Sequence, residues 1–328
     1  MVAGRKILVT GAAGFIGSHL VETLLRREAR VTAMIRYNSA SSIGNLAFLP
    51  ESLRAALTVL PGNIEDSDFV HRAVEGHEIV LHLAALIAIP YSYSAPRSYL
   101  RANVEGTLNV LEAVRRHGAR RLVHTSTSEV YGTALRAPID EDHPLQGQSP
   151  YSASKIGADK MAEAYFRSFD VPVVVLRPFN TFGPRQSARA FIPTIVAQAL
   201  ARDEIHLGAL SPQRDMTFVA DTVEGFILAA TVGGIEGETI NLGTGETSSI
   251  GDFAKRILQL MRIEKPIVHD KARERPPASE VMRLVSDNAK AARLLGWRPA
   301  TSLNDGLRQV IAFIAANRDL YAPTLYTV

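Results

Sequence analysis

Tyr151 and Lys155 stand four residues apart in the stretch Pro150-Tyr151-Ser152-Ala153-Ser154-Lys155. Positions i and i+4 share one face of a helix, so this spacing lets a phenol and an ammonium act together. A free phenol, with a pKa of about 10, is a poor base at neutral pH. A neighbouring cation favours the phenolate and lowers that value. Tyr151 could then take a proton from a hydroxyl while hydride leaves the same carbon. Upstream stands a second chemical group, Thr127-Ser128-Glu129. Its hydroxyls can orient a substrate, and its carboxylate can remove a carbon-bound proton.

Hydride chemistry needs a carrier, and the N-terminal segment offers a place for one. Thr10-Gly11-Ala12-Ala13-Gly14-Phe15-Ile16-Gly17 follows an apolar run and opens a helical pattern. Glycines at this spacing permit a tight turn, close backbone approach to a pyrophosphate, and close helix–strand packing. The N–H groups of the following helix start then face the phosphates. The glycine pattern alone is weak; its strand–loop–helix setting gives it meaning. NAD sites place an acid on the ribose at the end of the second strand. Here that stretch reads Met34-Ile35-Arg36-Tyr37-Asn38-Ser39 and has no acid. Arg36 suits a 2′-phosphate, so the expected cofactor is NAD(P), with NADP favoured over NAD.

These groups need a scaffold, and the hydrophobic pattern supplies one. Short apolar runs at Lys6–Thr10, Arg30–Ile35, Leu57–Leu60, Ile79–Leu83, Arg121–Thr125 and Val171–Leu176 read as buried strands. Helical spacing covers Phe15–Arg27 and about 67–76, 97–117 and 151–169. Strands alternating with helices predict an α/β fold, a doubly wound parallel sheet of Rossmann type. After residue 178 prolines interrupt the pattern, and helices are expected near 190–202, 221–231, 250–261 and 302–316. The expected organisation is a Rossmann domain over 1–178 and a smaller C-terminal α/β substrate-binding lobe over 179–328, interleaved with no clean linker.

Composition narrows the chemistry. The 328 residues contain no cysteine, which excludes disulfides, thiolate catalysis and cysteine zinc sites. No cluster of His, Asp and Glu has metal-ligand spacing, so no metal is expected. No apolar run reaches the ~18 residues of a membrane span, and nothing resembles a signal peptide, so a cytoplasmic location is expected. The net charge of +3 is spread along the chain without basic–aromatic runs, which argues against nucleic acid. His82, His124 and Trp297 read as packing residues, whereas Tyr91 and Tyr93 lie where a loop could border a substrate. Val104, Leu108, Leu111 and Val114 form an apolar helical face that could meet a partner subunit or the sheet.

With these residues in place, the chain resembles the extended short-chain dehydrogenase/reductases. TGAAGFIG (10–17), HLAA (82–85), NVEGT (103–107), HTSTSEVYG (124–132), YSASK (151–155), RPFNTFGPR (177–185), RDMTFVAD (214–221) and NLGTG (241–245) carry the likeness. Within that group it is most similar to nucleotide-sugar 4,6-dehydratases, closest to the N-acetylhexosamine enzymes of the legionaminic acid type. The resemblance implies tightly held NAD(P), a nucleoside-diphosphate sugar such as a UDP- or GDP-N-acetylhexosamine, and a homodimer. It implies a cofactor site of Gly11, Gly14, Phe15, Ile16, Gly17, Arg36, Asn63, Ile64, Leu83, Ala84, Ala85 and Asn103, together with Tyr151 and Lys155. It implies substrate contacts from Asn180, Arg185, Arg214 and Arg275, and catalysis by Thr127, Ser128, Glu129, Tyr151 and Lys155. Two departures stand out: the acid after the second strand is missing, and Gly62-Asn63 replaces a common Gly-Asp. UDP-glucuronate decarboxylases share Thr-Ser-Glu-Val-Tyr-Gly, and 4-epimerases share the Tyr–Lys pair. The sequence therefore leaves dehydration, epimerisation and decarboxylation open, with dehydration favoured by Glu129.

Overall fold

The computed structural model describes residues 1–274 and 276–321. Six strands come from the first half: β1 (Lys6–Thr10), β2 (Arg30–Arg36), β3 (Thr58–Gly62), β4 (Ile79–His82), β5 (Arg121–Thr125) and β6 (Val173–Pro178). Later come β7 (Asn180–Phe182), β8 (Ile205–Leu207), β9 (Gln213–Arg214), β10 (Met216–Phe218), β11 (Thr239–Leu242), β12 (Ser248–Ser249) and β13 (Ile267–His269). The helices are α1 (Phe15–Arg26), α2 (Glu51–Ala55), α3 (Ser67–Val74), α4 (Ile89–Ser94), α5 (Pro96–Tyr99), α6 (Gly106–His117) and α7 (Pro150–Phe169). They continue with α8 (Phe191–Ala201), α9 (Val219–Thr231), α10 (Ile250–Met261), α11 (Ala289–Leu295) and α12 (Leu303–Ala316).

Seven strands form one sheet in the order β11-β6-β5-β4-β1-β2-β3. Every pairing is parallel, for example Thr10 beside Met34 on one side and His82 on the other. Parallel strands covered by helices on both faces must be apolar throughout, and β4 and β6 are buried along their whole length. The strand order reverses direction between β1 and β4, and the crevice beyond their carboxyl ends is where such sheets bind ligands.

β11 was not foreseen, because four residues of Thr-Ile-Asn-Leu carry too short a pattern. It pairs with β6, and α9 packs against β4, β5 and β6. Both come from beyond residue 178, yet both belong to the main sheet assembly. The remaining late strands form three two-stranded ladders, β10 with β7, β12 with β9 and β13 with β8.

The helix expected over 97–117 is interrupted. A π-helical stretch, Leu100–Glu105, joins α5 to α6. Such wide turns recur at functional sites. Within this one Asn103 is fully buried. Leu111 and Val114 pack in the core beneath the sheet, and Leu108 packs against that core. Val104 faces α7, where a Cβ added at Gly157 would lie 3.3 Å from its methyl. The apolar face thus meets this chain's own core and α7.

Candidate active site

The glycine loop crosses the carboxyl end of β1. Gly11 has φ +69°, and a Cβ there would lie 2.7 Å from the Ala84 nitrogen. A Cβ at Gly17 would lie 2.4 Å from the Gly11 carbonyl oxygen. Only glycine lets α1 seat this closely on the loop. Gly14 caps α1 without a side-chain acceptor, so the first-turn N–H groups keep their capacity for an anion. Phe15 and Ile16 turn from that first turn onto the main core.

Thr10 holds the loop against β4. Its Oγ1 accepts the Leu83 and Ala84 N–H groups at 3.2 and 3.1 Å, which leaves its own proton for His82 Nδ1 at 2.8 Å. His82 Nε2 then donates to Thr107 Oγ1 at 3.1 Å. Burial holds His82 well below its ordinary value, so the ring is neutral and can both accept and donate.

Beside the loop lies a cavity of about 220 Å³ lined by Gly11, Arg36, Asn63, Ile64, Ala84 and Ala85, residues expected there from the sequence. Glu65 and Tyr91 line it too and were not assigned to the cofactor. Tyr91 had been placed near the substrate; α4 folds it back to this side. The tight cradle at Gly11 and Gly17, the uncapped helix start and this cavity fit a dinucleotide. Asn103 is hydrogen-bonded within the chain. Its Oδ1 accepts the Leu86 N–H at 2.8 Å, and its Nδ2 donates to the Leu86 carbonyl and to Ser154 Oγ at 3.0 and 2.9 Å. The amide is used up in holding the loop after β4 to α7.

Tyr151 opens α7. Ser149 and Ser152 cap that helix reciprocally, each hydroxyl accepting the other's N–H, at 3.1 and 3.0 Å. Pro150 occupies the first turn, where its missing N–H costs nothing. The start of the helix is thereby fixed, and with it the phenol. Tyr151 is buried against Tyr99, the ring centroids 6.2 Å apart in an edge-on arrangement. The Thr127 side chain lies close enough to its hydroxyl to favour the charged form. Thr127 is the N-cap of a 3-10 turn, Ser128–Tyr131, and accepts the Glu129 N–H at 3.2 Å. Ser128 and Glu129 are both buried.

The electrostatics depart from the sequence reading, which had Lys155 lowering the Tyr151 pKa. Burial pushes the Tyr151 phenol upward, the Thr127 side chain works against this, and the nearby charge of Glu129 adds to the rise. Lys155 donates to the Thr125 carbonyl, and burial brings its ammonium down to about 8. Asp159, one turn beyond Lys155, opposes that fall.

The substrate-side residues divide. Asn180 opens β7, and its Oδ1 is buried without a protein partner. Arg214 is buried and donates to the Val281 carbonyl at 2.7 Å and to Glu280 at 3.0 Å, which ties β9 to the segment crossing above it. Arg185 pairs through Nη2 with Glu22 of α1 at 2.6 Å, while its Nη1 is buried without a protein partner. Arg275 lies outside the described residues. Tyr93 hydroxyl meets Ser279 Oγ at 2.5 Å, and Ser279 donates to the Gln148 carbonyl at 2.8 Å. Trp297 is buried and donates its indole N–H to the Asp221 carbonyl at 2.8 Å. Among the described residues no helix is long and apolar enough to cross a membrane.

Comparison with known proteins shows the family and the fold. The family model for GDP-mannose 4,6 dehydratase matches residues 8–310. A dTDP-glucose 4,6-dehydratase of Actinoplanes is 33% identical over 95% of this chain and 98% of its own. A UDP-glucose 4-epimerase of Mycolicibacterium smegmatis is 32% identical over 94% and 98%. The crystal structure of dTDP-glucose 4,6-dehydratase from Streptomyces venezuelae, solved with NAD bound, superposes with a TM-score of 0.88 at 30% identity, covering 97% of this chain and 99% of that one.

Proposed function

The chain belongs to the family of nucleotide-sugar enzymes described by the GDP-mannose 4,6 dehydratase model, and on that premise we propose that it is an NAD(P)-dependent nucleotide-sugar 4,6-dehydratase. One observation carries the reading that a carboxylate acts beside the phenol. Thr127 lies by the Tyr151 phenol and caps the same short turn that carries buried Glu129. Held by the Gly11–Gly17 cradle and the cavity beside it, NAD(P) would supply reversible acceptance and return of hydride. Tyr151 Oη takes the C4 hydroxyl proton, with the Thr127 hydroxyl stabilising the phenolate before it does so. The resulting C4 ketone acidifies C5, and Glu129 takes that proton. The C6–oxygen bond then breaks, and the leaving oxygen departs as water with a proton from Glu129 or a solvent molecule. The Tyr151 proton passes to solvent and C5 finally regains a proton from solvent through Glu129, so the sugar is lighter by one water. Ser128 is too weak an acid to protonate the leaving group and is assigned to positioning.

Asn180 and Arg214 are proposed to face the nucleoside diphosphate. The residues at the end of β2 favour NADP, since Arg36 is exposed beside the cavity and no acid follows it. We further propose a homodimer, supported by Leu100 and Phe169, which stand exposed at 53% and 46% near α6 and α7. A UDP- or GDP-N-acetylhexosamine is the proposed substrate. Incubation with UDP- and GDP-N-acetylglucosamine, dTDP-glucose and UDP-glucuronate, followed by mass spectrometry, tests the whole reading. Loss of one water is expected. Unchanged mass with inverted C4 identifies an epimerase, and loss of carbon dioxide identifies a decarboxylase; either refutes dehydration.

A further inference from the structure

Tyr151, Lys155 and Asp159 occupy successive i, i+4 positions on α7 and so form one stripe along the face turned to the sheet. Tyr151 is the proposed base, and the sequence pairs Lys155 with it. Asp159 is equally buried and has no assigned role.

Its surroundings are dense. Ser126 Oγ donates to Asp159 at 2.7 Å from the loop directly after β5. His124 Nε2 lies 3.2 Å away on β5 itself. Arg177 on β6 donates to the same carboxylate through Nε at 3.1 Å and Nη2 at 3.0 Å. Arg177 Nη1 continues to the Tyr131 hydroxyl at 2.8 Å, and Tyr131 donates to Asn241 of β11 at 2.8 Å. One carboxylate thus joins α7, β5 and β6, and its chain of bonds ends on the strand added from late in the sequence.

We propose that Asp159 is a positioning residue of this reaction: its carboxylate is the buried counter-charge of Lys155, and it locks the end of β5 from which Ser126 and Thr127 emerge. The proposal rests on the Tyr151–Lys155 reading above. A buried ammonium without a nearby anion loses its proton, because the interior penalises the charged form. Lys155 itself donates to the Thr125 carbonyl, so the ammonium and the carboxylate hold consecutive residues of one strand end, 125 and 126. Any slip of that strand end displaces Thr127 from the phenol.

The other charges near the pair are His82 on β4, His124 on β5 and Arg177 on β6, with Tyr131 and Glu129 from the 3-10 turn and Tyr151 on α7 itself. Burial keeps His82 and His124 below their ordinary value, so at neutral pH both rings are uncharged. Arg177 is the cation that competes with Lys155 for Asp159. Asp159 itself is held down at about 2, despite burial, by His124, Arg177 and Lys155.

The test reads Lys155 directly. The chain has seven lysines, so 13Cε-lysine labelling gives an assignable spectrum of the NAD-loaded protein. Burial brings the Lys155 ammonium down to about 8, and the titration of the unaltered protein is the reference. Asp159→Asn lowers this by about one pH unit or more, and the alkaline limb of the pH–kcat profile moves down with it. Arg177→Gln, which removes the competing cation, moves both upward. Ser126→Ala keeps the charge and leaves the Lys155 titration in place. Opposite shifts from Asp159→Asn and Arg177→Gln are not produced by general loosening of the fold. If Asp159→Asn does not fold, Arg177→Gln decides alone. A Lys155 titration unmoved in folded Asp159→Asn, or unmoved or lowered in Arg177→Gln, overturns the proposal. Because the spectrum needs no turnover, a protein inactive on every nucleotide sugar defeats the functional reading without touching this result.

Discussion

Replacing Thr127 by valine removes one oxygen and keeps the shape of the side chain. That oxygen accepts the Glu129 N–H at 3.2 Å, and its hydroxyl favours the charged form of the nearby Tyr151 phenol. A threonine hydroxyl has one proton and two lone pairs, so accepting the N–H leaves the proton for the phenolate. Hydrogen bonds to charged groups contribute about 1.5–3 kcal/mol. At about 1.36 kcal/mol per pKa unit, losing this one raises the Tyr151 value by roughly 1–2 units. Burial and Glu129 already push the phenol up, so nothing else in its contacts compensates. The expected result is a fall in kcat of about 10- to 150-fold near neutral pH, with the acid limb of the pH–kcat profile displaced upward by the same 1–2 units. Losing the cap of the 3-10 turn adds about 0.5–2 kcal/mol of destabilisation, which thermal unfolding reads separately. Thr127→Ser keeps the hydroxyl and should restore both the rate and the pH profile. A valine variant with unchanged kcat and an unmoved acid limb would show that the Thr127 hydroxyl plays no part in proton transfer.

Tyr151→Phe should reduce turnover by about 10²–10⁴-fold while equilibrium dialysis finds cofactor affinity nearly intact; retained turnover would mean another base operates. Gly17→Ala sets a methyl 2.4 Å from the Gly11 carbonyl oxygen, so α1 must shift. Such overpacking costs about 1–3 kcal/mol, visible as a lower Tm and weaker NAD(P) binding by fluorescence titration. Arg36→Glu should weaken NADP more than NAD in the same titration; equal weakening would remove Arg36 from 2′-phosphate recognition. His19 is held down to about 4, chiefly by burial, so the unfolded chain binds its proton first as pH falls below 6.5. Its stabilising effect is whole above that pH and lost as pH falls toward 4, and His19→Gln should flatten part of the drop in urea midpoint over this window.

Much of the fold was legible because it is encoded locally. The apolar runs of β1, β2, β4 and β5 emerged within a residue or two of their positions, since a strand buried on both faces must be continuously apolar. β11 escaped, because its place is decided by an open edge on β6 rather than by a pattern of its own. Arg185 is a substrate contact by the family resemblance alone. Its pairing with Glu22 depends on how the chain after β7 crosses α1, which no local pattern records.

Spacing along the chain therefore determined the parts that lie within one turn or one helix: the glycine cradle, the Tyr151–Lys155 face and the Thr127–Glu129 turn. Covalent geometry fixes such distances before anything packs. Tertiary structure decided what burial does to those groups. It adds a burial penalty to the Tyr151 phenolate, brings Tyr91 and Glu65 into the cavity beside the glycine loop, and draws Asp159, His124 and Arg177 into one charge cluster. Desolvation and long-range ion pairing depend on which elements are stacked in space, and residues 124, 159 and 177 become neighbours only when β5, β6 and α7 close over them.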